Sequence, residues 1–233
     1  MFLVNACLLI FMGIAPVLAW LFFVLREDLH PEPKRLLVYA FFMGMIVTVP
    51  TLLMQTIVRE IFQFGDIPGI LPLVCLAAAE EFFKFIAAYW TVKGEKAFDE
   101  PVDAMIYMIT AALGFTVVEN IFIAMGALSN PMAPLGTIFD TMVLRFIGAT
   151  FLHVLASGIV GYYWARGKMM LSVKTAIVFG LMLGTGIHAL FNFLVVIFQD
   201  INLLYPSLLL ILGAFFLFYD FEKLRYKKTF SQI

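Results

Sequence analysis

The chain has 233 residues, of which 63% are hydrophobic and only 13% are charged, and its formal net charge at pH 7 is −1. Soluble domains carry roughly 25% charged and about 45–50% apolar residues, so this composition excludes a water-soluble globular protein and an intrinsically disordered one. The near-zero net charge also excludes a nucleic-acid-binding protein, which needs a concentrated basic surface. The composition is that of an integral membrane protein.

Seven apolar runs are long enough to cross a bilayer as helices, which takes about 20 residues each. In chain order they are Phe2–Leu25, Leu36–Val58, Ile67–Val92, Ala104–Leu128, Ile138–Trp164, Val173–Phe198 and Ile201–Phe221. The first run lacks the basic start and the cleavage site of a signal peptide, so we interpret it as a retained helix. Because the connections are short, we expect one all-α transmembrane bundle over residues 1–233.

Basic residues concentrate in alternate connections between these spans. Twelve of the 15 Lys and Arg residues lie after spans 1, 3 and 5 or in the C-terminal tail. Cytoplasmic loops are enriched in Lys and Arg. The pattern therefore predicts an N-terminus outside the membrane and a cytoplasmic C-terminus, which an odd number of spans allows.

Spans 3 to 6 contain ionisable residues near their midpoints. A charged side chain at the bilayer centre costs about 2.5–3.5 kcal/mol and usually faces the bundle interior. These residues are Glu80, Glu81 and Lys84 on span 3, Glu119 on span 4, His153 on span 5 and His188 on span 6. At about 1.5 Å rise per residue they share a layer roughly 10 Å thick. A shared depth predicts that they form a single site.

Span 3 carries two adjacent glutamates and a lysine. Lys84 is four residues after Glu80 and three after Glu81, so it can reach either carboxylate. Neighbouring helical side chains point about 100° apart, so one glutamate can pair with Lys84 while the other serves as a general base. The alternative is an ion pair that only holds the bundle together.

Span 4 carries two carboxylates with different expected roles. Glu119 is a candidate oxygen ligand or general base, or else a hydrogen-bonding partner for a break in the backbone. Asp103, at the start of the span, is expected to cap the helix or to lie at the interface. On span 5, Arg145 is expected at the outer edge of the membrane, paired with Asp140.

Spans 5 and 6 each carry a polar pair on one helical face. His153 and Ser157 are four residues apart, as are His188 and Asn192. A single buried histidine is usually just a hydrogen-bonding residue, but two at the same depth beside three glutamates indicate a site.

Two kinds of hydrolytic chemistry remain open for this set of residues. Two histidines and a carboxylate can hold zinc. Without a metal, a glutamate can act as base while His and Asn side chains stabilise the oxyanion. A serine mechanism is weaker because Ser157 lies one turn from His153 on the same helix, and neither an aspartate dyad within the spans nor an HExxH motif is present.

Four motifs occur in a fixed order along these spans. They are Glu80-Glu81-x-x-Lys84, Phe115-x-x-x-Glu119-Asn120, His153-x-x-x-Ser157 and His188-x-x-x-Asn192. This set resembles the PrsW family of bacterial intramembrane proteases over about residues 75–195. It is more distantly similar to the CAAX-type prenyl endopeptidases, which have histidine where this chain has Glu119. Asp103 and the segments Gly161-Tyr162 and Ala165-Arg166-Gly167 also look like the PrsW pattern.

The resemblance implies an intramembrane endopeptidase of the bacterial inner membrane, with a catalytic core at about residues 67–198. It implies site-1 cleavage of a single-span membrane protein, typically an anti-sigma factor, which releases a sigma factor in a stress response. The expected cofactor is either none or zinc.

The resemblance also assigns roles to the motif residues. Glu80 and Glu81 supply the general base, with Lys84 tuning it. Water, metal or oxyanion is positioned by Glu119, His153, His188 and Asn192. Supporting roles go to Asn120, Ser157 and Asp103. The expected metal ligands, if a metal binds, are Glu81, Glu119, His153 and His188.

Carboxylates and histidines at the membrane midplane also occur in proton-coupled transporters and channels, which are the alternative function. The polar pattern is not repeated between the two halves of the chain, whereas transporters usually have related halves. A scaffold without enzymatic activity would leave the charged layer unexplained.

Overall fold

The computed structural model describes residues 2–63, 69–128, 148–169, 172–198 and 204–226, with side chains from Gly13 onward. These residues form seven α-helices and no strand. They are α1 (Phe2–Leu25), α2 (Lys34–Phe62), α3 (Ile70–Val92), α4 (Pro101–Leu128), α5 (Thr150–Met169), α6 (Val173–Phe198) and α7 (Leu204–Arg225). The predicted all-α class is confirmed, and each helix corresponds to one predicted span. Asp140 and Arg145 lie outside the described residues.

Four of the described helices are long and apolar enough, by length and composition, to cross a membrane. They are α2, α4 over Pro101–Gly126, α6 and α7. Helix α3 has 23 residues, a similar length, but Glu80, Glu81 and Lys84 interrupt its apolar run. The chain is therefore a polytopic membrane protein, as predicted.

Helix α4 lies at the centre of the bundle. It packs against α1, α2, α3, α5 and α7. Consecutive residues in its first half, from Ala104 to Ile109, are fully buried. A helix that is apolar on all sides is stable only when it is surrounded. The surrounded first half of α4 fixes this helix in the bundle, and its second half carries Glu119.

Two glycines fix the crossing of α2 and α4. A Cβ atom at Gly44 would lie 1.9 Å from the carbonyl oxygen of Ala111, and one at Gly114 would lie 1.9 Å from that of Phe41. Neither position can hold a larger residue unless the helices separate, because the obstacle is backbone. Small residues at such crossings let membrane helices approach closely. The crossing sets the position of α2 beside the interior of the bundle.

The α1–α2 and α3–α4 connections meet at one end of the bundle. The carboxylate of Asp103, in the first turn of α4, accepts hydrogen bonds from the backbone N–H groups of Asp99 (3.0 Å) and Glu100 (2.7 Å). It therefore caps the helix by reaching back from the first turn. Next to it, the hydroxyl of Tyr107 donates to the carboxylate of Glu32.

Candidate active site

Six ionisable side chains from four helices meet inside the bundle. We call them the site cluster: Glu80, Glu81 and Lys84 from α3, Glu119 from α4, His153 from α5 and His188 from α6. Five of the six are buried, and the side chain of Glu119 is 29% exposed. The common depth inferred from the sequence corresponds to direct contact between these residues.

Lys84 is the cation at the centre of the site cluster. Its ammonium donates to Oε1 of Glu81 at 2.9 Å and to Oε2 of Glu80 at 3.3 Å, so both predicted i,i+3 and i,i+4 contacts form. It also lies 2.7 Å from Nδ1 of His153 and 4.7 Å from the centre of the Phe115 ring. One positive charge thus lies between two buried carboxylates.

Glu81 is fully buried and hydrogen-bonds to three side chains. Besides Lys84, its Oε1 lies 2.8 Å from Nδ1 of His188, and its Oε2 accepts a 2.9 Å hydrogen bond from the hydroxyl of Ser157. Both carboxylate oxygens are therefore engaged by neighbours from α3, α5 and α6. Such a residue is well suited to hold other side chains in place.

Each imidazole bonds a carboxylate through one ring nitrogen and turns the other toward Glu80. His188 uses Nδ1 for Glu81 and has Nε2 at 3.6 Å from Oε2 of Glu80. His153 uses Nε2 for Glu119, at 2.9 Å, and its Nδ1 lies 2.7 Å from the ammonium of Lys84 and 3.9 Å from the same oxygen of Glu80. A carboxylate partner fixes the tautomer and orientation of an imidazole. The second nitrogen of His188 therefore faces Glu80, and the second nitrogen of His153 faces both Lys84 and Glu80.

Glu80, His153 and His188 form a donor set suited to a metal ion. One ligand atom from each of the three buried residues lies within 4.8 Å of the other two. Zinc binds nitrogen and oxygen at about 2.0–2.2 Å in a tetrahedron, which places its ligands roughly 3.3–3.6 Å apart. The separations of 3.6 and 3.9 Å are close to that range, so the residues fit the ion if it replaces the ammonium of Lys84 at Nδ1 of His153 and Oε2 of Glu80.

This donor set differs from the predicted one in its carboxylate. Both histidines are shared, but Glu80 occupies the position that the sequence assigned to Glu81 and Glu119. Glu81 instead hydrogen-bonds to Nδ1 of His188, and Glu119 to Nε2 of His153, in each case the nitrogen turned away from the donor set. The difference follows from helix geometry, because adjacent glutamates point about 100° apart and only one faces both rings.

Sequence reasoning missed one residue of the site, Gln55 on α2. Its side-chain amide donates to Oε1 of Glu80 at 2.9 Å. An uncharged glutamine in an apolar span gives a weak signal. The clue is its spacing from the buried Thr51, which lies four residues before it on the same face of α2.

The three remaining predicted residues lie at different distances from the site cluster. Asn192 is partly buried, one helical turn after His188. The amide of Asn120 donates to the carbonyl oxygen of Gly13 at 3.3 Å and so joins α4 to α1. Asp103 lies sixteen positions before Glu119 on α4, about 24 Å away at 1.5 Å per residue, and belongs to the other end of the bundle.

Comparison with known proteins identifies the family. Residues 32–219 match the family described as PrsW family intramembrane metalloprotease. Protease PrsW of Oceanobacillus iheyensis is 26% identical over 86% of this chain and 88% of the relative. Protease PrsW of Geobacillus kaustophilus is 29% identical over 69% of this chain and 67% of the relative.

A third relative, Protease PrsW of Bacillus subtilis, is 25% identical over 67% of each chain. No solved structure matches the chain significantly. The matched region contains every residue of the site cluster, and it decides for a protease over a transporter. The chain belongs to the PrsW family of intramembrane proteases.

Proposed function

We propose that this protease cleaves a single-span membrane protein of the anti-sigma factor type, using Glu80, His153 and His188 to hold a zinc ion. The observation that carries the proposal is the convergence of these three donors inside the membrane bundle. Peptide hydrolysis needs water and a means of activating it, and lipid-facing helices supply neither.

The depth of the cluster supports cleavage toward the outer side. The outer end of a helix, as predicted from the charge pattern, is nine or ten positions from the site residue on three helices. These residues are Glu80, Glu119 and His188. At 1.5 Å per residue this is about 15 Å. A substrate segment that unwinds near the outer surface can reach such a site.

The charge of the site cluster supports a bound cation. The ammonium of Lys84 already contacts two of the three donor residues, Glu80 and His153. The cluster holds three glutamates and one lysine, so the ammonium alone does not neutralise the carboxylates, and a metal ion would take its place at the two donors. Zinc bound there would act as a Lewis acid that polarises a carbonyl oxygen and lowers the pKa of water.

The chain's own residues would then orient, accept protons and neutralise charge. Glu81 holds His188 and Glu119 holds His153, each through the nitrogen turned away from the donor set. Glu119 is the most exposed carboxylate of the cluster and is the candidate to accept a proton from the attacking water. Lys84 offsets the charge of Glu81 throughout.

A metal-free mechanism is the second candidate, and it needs one of the two adjacent glutamates to act as the base. Both oxygens of Glu81 are already bound by Lys84, His188 and Ser157. Glu80 accepts from two side chains, Gln55 and Lys84, and is slightly less buried than Glu81, so it would then serve as the general base.

A cleavage assay tests the function. The protein is co-expressed in a bacterial host with a single-span anti-sigma factor tagged at both ends, and the fragments are detected by blotting. Glu80→Gln should lower cleavage by at least about 100-fold, as expected for loss of a catalytic group. Glu222→Gln makes the same chemical change at an exposed position on α7 and should not alter it. Full cleavage by Glu80→Gln would disprove the role of this residue.

Metal removal distinguishes the two mechanisms. The purified protein is stripped with a chelator, and cleavage of the same substrate is measured before and after zinc is added back. The zinc mechanism predicts loss of activity and its recovery. Undiminished turnover by protein with no detectable metal would reject the zinc mechanism and favour the metal-free mechanism with a glutamate base.

A further inference from the structure

Helix α2 contributes a side chain to the site although no predicted site residue lies on it. We propose that Gln55 is a positioning residue that orients the carboxylate of Glu80 for zinc. The inference rests on the proposed zinc-binding function, and it adds a residue that the motifs do not contain.

The direction of the hydrogen bond is fixed by chemistry. An ionised carboxylate only accepts hydrogen bonds, so Gln55 must present its NH₂ group, which donates to Oε1 of Glu80 at 2.9 Å. The second oxygen, Oε2, accepts from Lys84 at 3.3 Å and faces Nε2 of His188 at 3.6 Å and Nδ1 of His153 at 3.9 Å. Gln55 thus makes the two oxygens unequal and directs one of them to the histidines.

Gln55 completes a set of three partners. His188 is held by Glu81 and His153 by Glu119, in both cases at the nitrogen turned away from the donor set. Glu80 is held by Gln55 at the oxygen turned away from it. Apart from Lys84, which contacts Glu80 and His153, each donor therefore has a hydrogen-bonding partner on the atom turned away from the donor set. This is the arrangement that orients metal ligands in proteins.

The backbone beneath Gln55 is held firmly. Gly44, Thr48 and Thr51 precede it at helical spacing, and all three are buried on the side of α2 that packs into the bundle. At Gly44 this side meets the backbone of α4, where a Cβ atom would collide with Ala111. The opposite side of α2 is exposed where a membrane would lie, at Ile46, Val49, Leu53 and Ile57. The amide is thus presented by a fixed surface of the helix.

A purely structural role for Gln55 predicts different measurements. An amide that only joins α2 to α3 would stabilise the fold slightly, as hydrogen bonds between membrane helices do. Its loss would lower the melting temperature and leave the affinity for zinc unchanged. An orienting role predicts that zinc binds more weakly when the amide is lost.

The test compares Gln55→Met with the wild-type protein. Methionine has a similar length and an apolar character but cannot donate a hydrogen bond. The dissociation constant for zinc is measured by chelator competition on the purified protein, together with kcat, KM and the melting temperature of the metal-free form. The matched control is Thr56→Val, since the hydroxyl of Thr56 donates within α2 to the carbonyl oxygen of Leu52.

Loss of the partner of a metal ligand typically weakens metal binding about 10–100-fold. We expect a rise of that size in the zinc dissociation constant of Gln55→Met, a fall in kcat at nearly constant KM, and no change for Thr56→Val. An unchanged zinc affinity in Gln55→Met would overturn the positioning role and leave the zinc site intact. A wild-type protein that cleaves substrate but binds no zinc would overturn both.

Discussion

Two groups of buried carboxylates lie at different depths of this bundle, and they are stabilised in different ways. In the site cluster, an ammonium and two imidazoles surround the glutamates. In the second group, which we call the loop cluster, Asp28, Glu32 and Asp103 are buried beside Tyr107. Its carboxylates accept hydrogen bonds from a hydroxyl and from backbone N–H groups.

The loop cluster serves to fold the connections. Asp28 accepts hydrogen bonds from the backbone N–H groups of His30 (2.9 Å) and Glu32 (3.1 Å), and so shapes the α1–α2 connection. Burial raises the pKa of Glu32 above its ordinary value, against the effect of the hydrogen bond from Tyr107. The hydrogen bonds that shape these connections come from neutral donors, whereas the site cluster gathers cationic and imidazole groups that can take part in chemistry.

The largest effect is expected from Lys84→Met. Removing one partner of a buried ion pair costs about 3–5 kcal/mol, because the remaining charge is left uncompensated. Here two carboxylates lose their partner. The free energy of unfolding in detergent should fall by that amount, and Glu81→Gln in the same protein should restore part of it. Lys93→Met, at an exposed lysine, is the matched control. Unchanged stability in Lys84→Met would mean that the charge of Lys84 is not needed by the fold.

A smaller effect is expected from Tyr107→Phe in the loop cluster. The substitution leaves the buried carboxylate of Glu32 without its hydroxyl donor, which costs about 1–3 kcal/mol. The melting temperature should fall while kcat of the folded protein stays constant. Tyr89→Phe, at a tyrosine that is 40% exposed, is the control. A large loss of kcat in Tyr107→Phe would show that the two clusters are coupled.

The third prediction concerns the pH dependence of the loop cluster. A carboxyl group whose pKa is raised on folding binds its proton more tightly in the folded protein. Its contribution to stability is therefore lost as the pH rises from the ordinary pKa of 4.5 through the raised value of Glu32. Glu32→Gln removes this loss, so its melting temperature relative to the wild type should increase between pH 4 and pH 7. A difference that does not change with pH would contradict the assignment.

The smallest effect is expected where water has partial access to the ion pair. Arg225 on α7 lies 3.1 Å from Glu27, and both side chains are partly buried, at 24% and 21% exposure. Ion pairs that water can reach contribute about 0.2–1 kcal/mol. Arg225→Ala should therefore lower the free energy of unfolding by no more than this, and less in high salt. A loss of stability as large as that of Lys84→Met would mean that the difference in exposure does not explain how much each ion pair stabilises the fold.

The motifs predicted much of the site because charged residues inside a membrane span are costly and rarely accidental. Glu80, Glu81, Glu119, His153 and His188 could be chosen from their depth alone. Gln55 could not, because an amide carries no charge and lies outside the predicted catalytic core of about residues 67–198. The predicted roles of Asn192 and of Glu81 as a base remain predictions.

The sequence by itself determined the all-α membrane fold, the helices that carry the site and the contacts of Lys84 with its own helix. These follow from composition, apolar length and helical spacing, which are local properties of the chain. Only the tertiary structure decided which glutamate faces both histidines, which one lies behind them and that α2 joins the site. Those choices depend on the rotation and crossing of whole helices, which are set by contacts between distant segments such as Gly44 and Ala111.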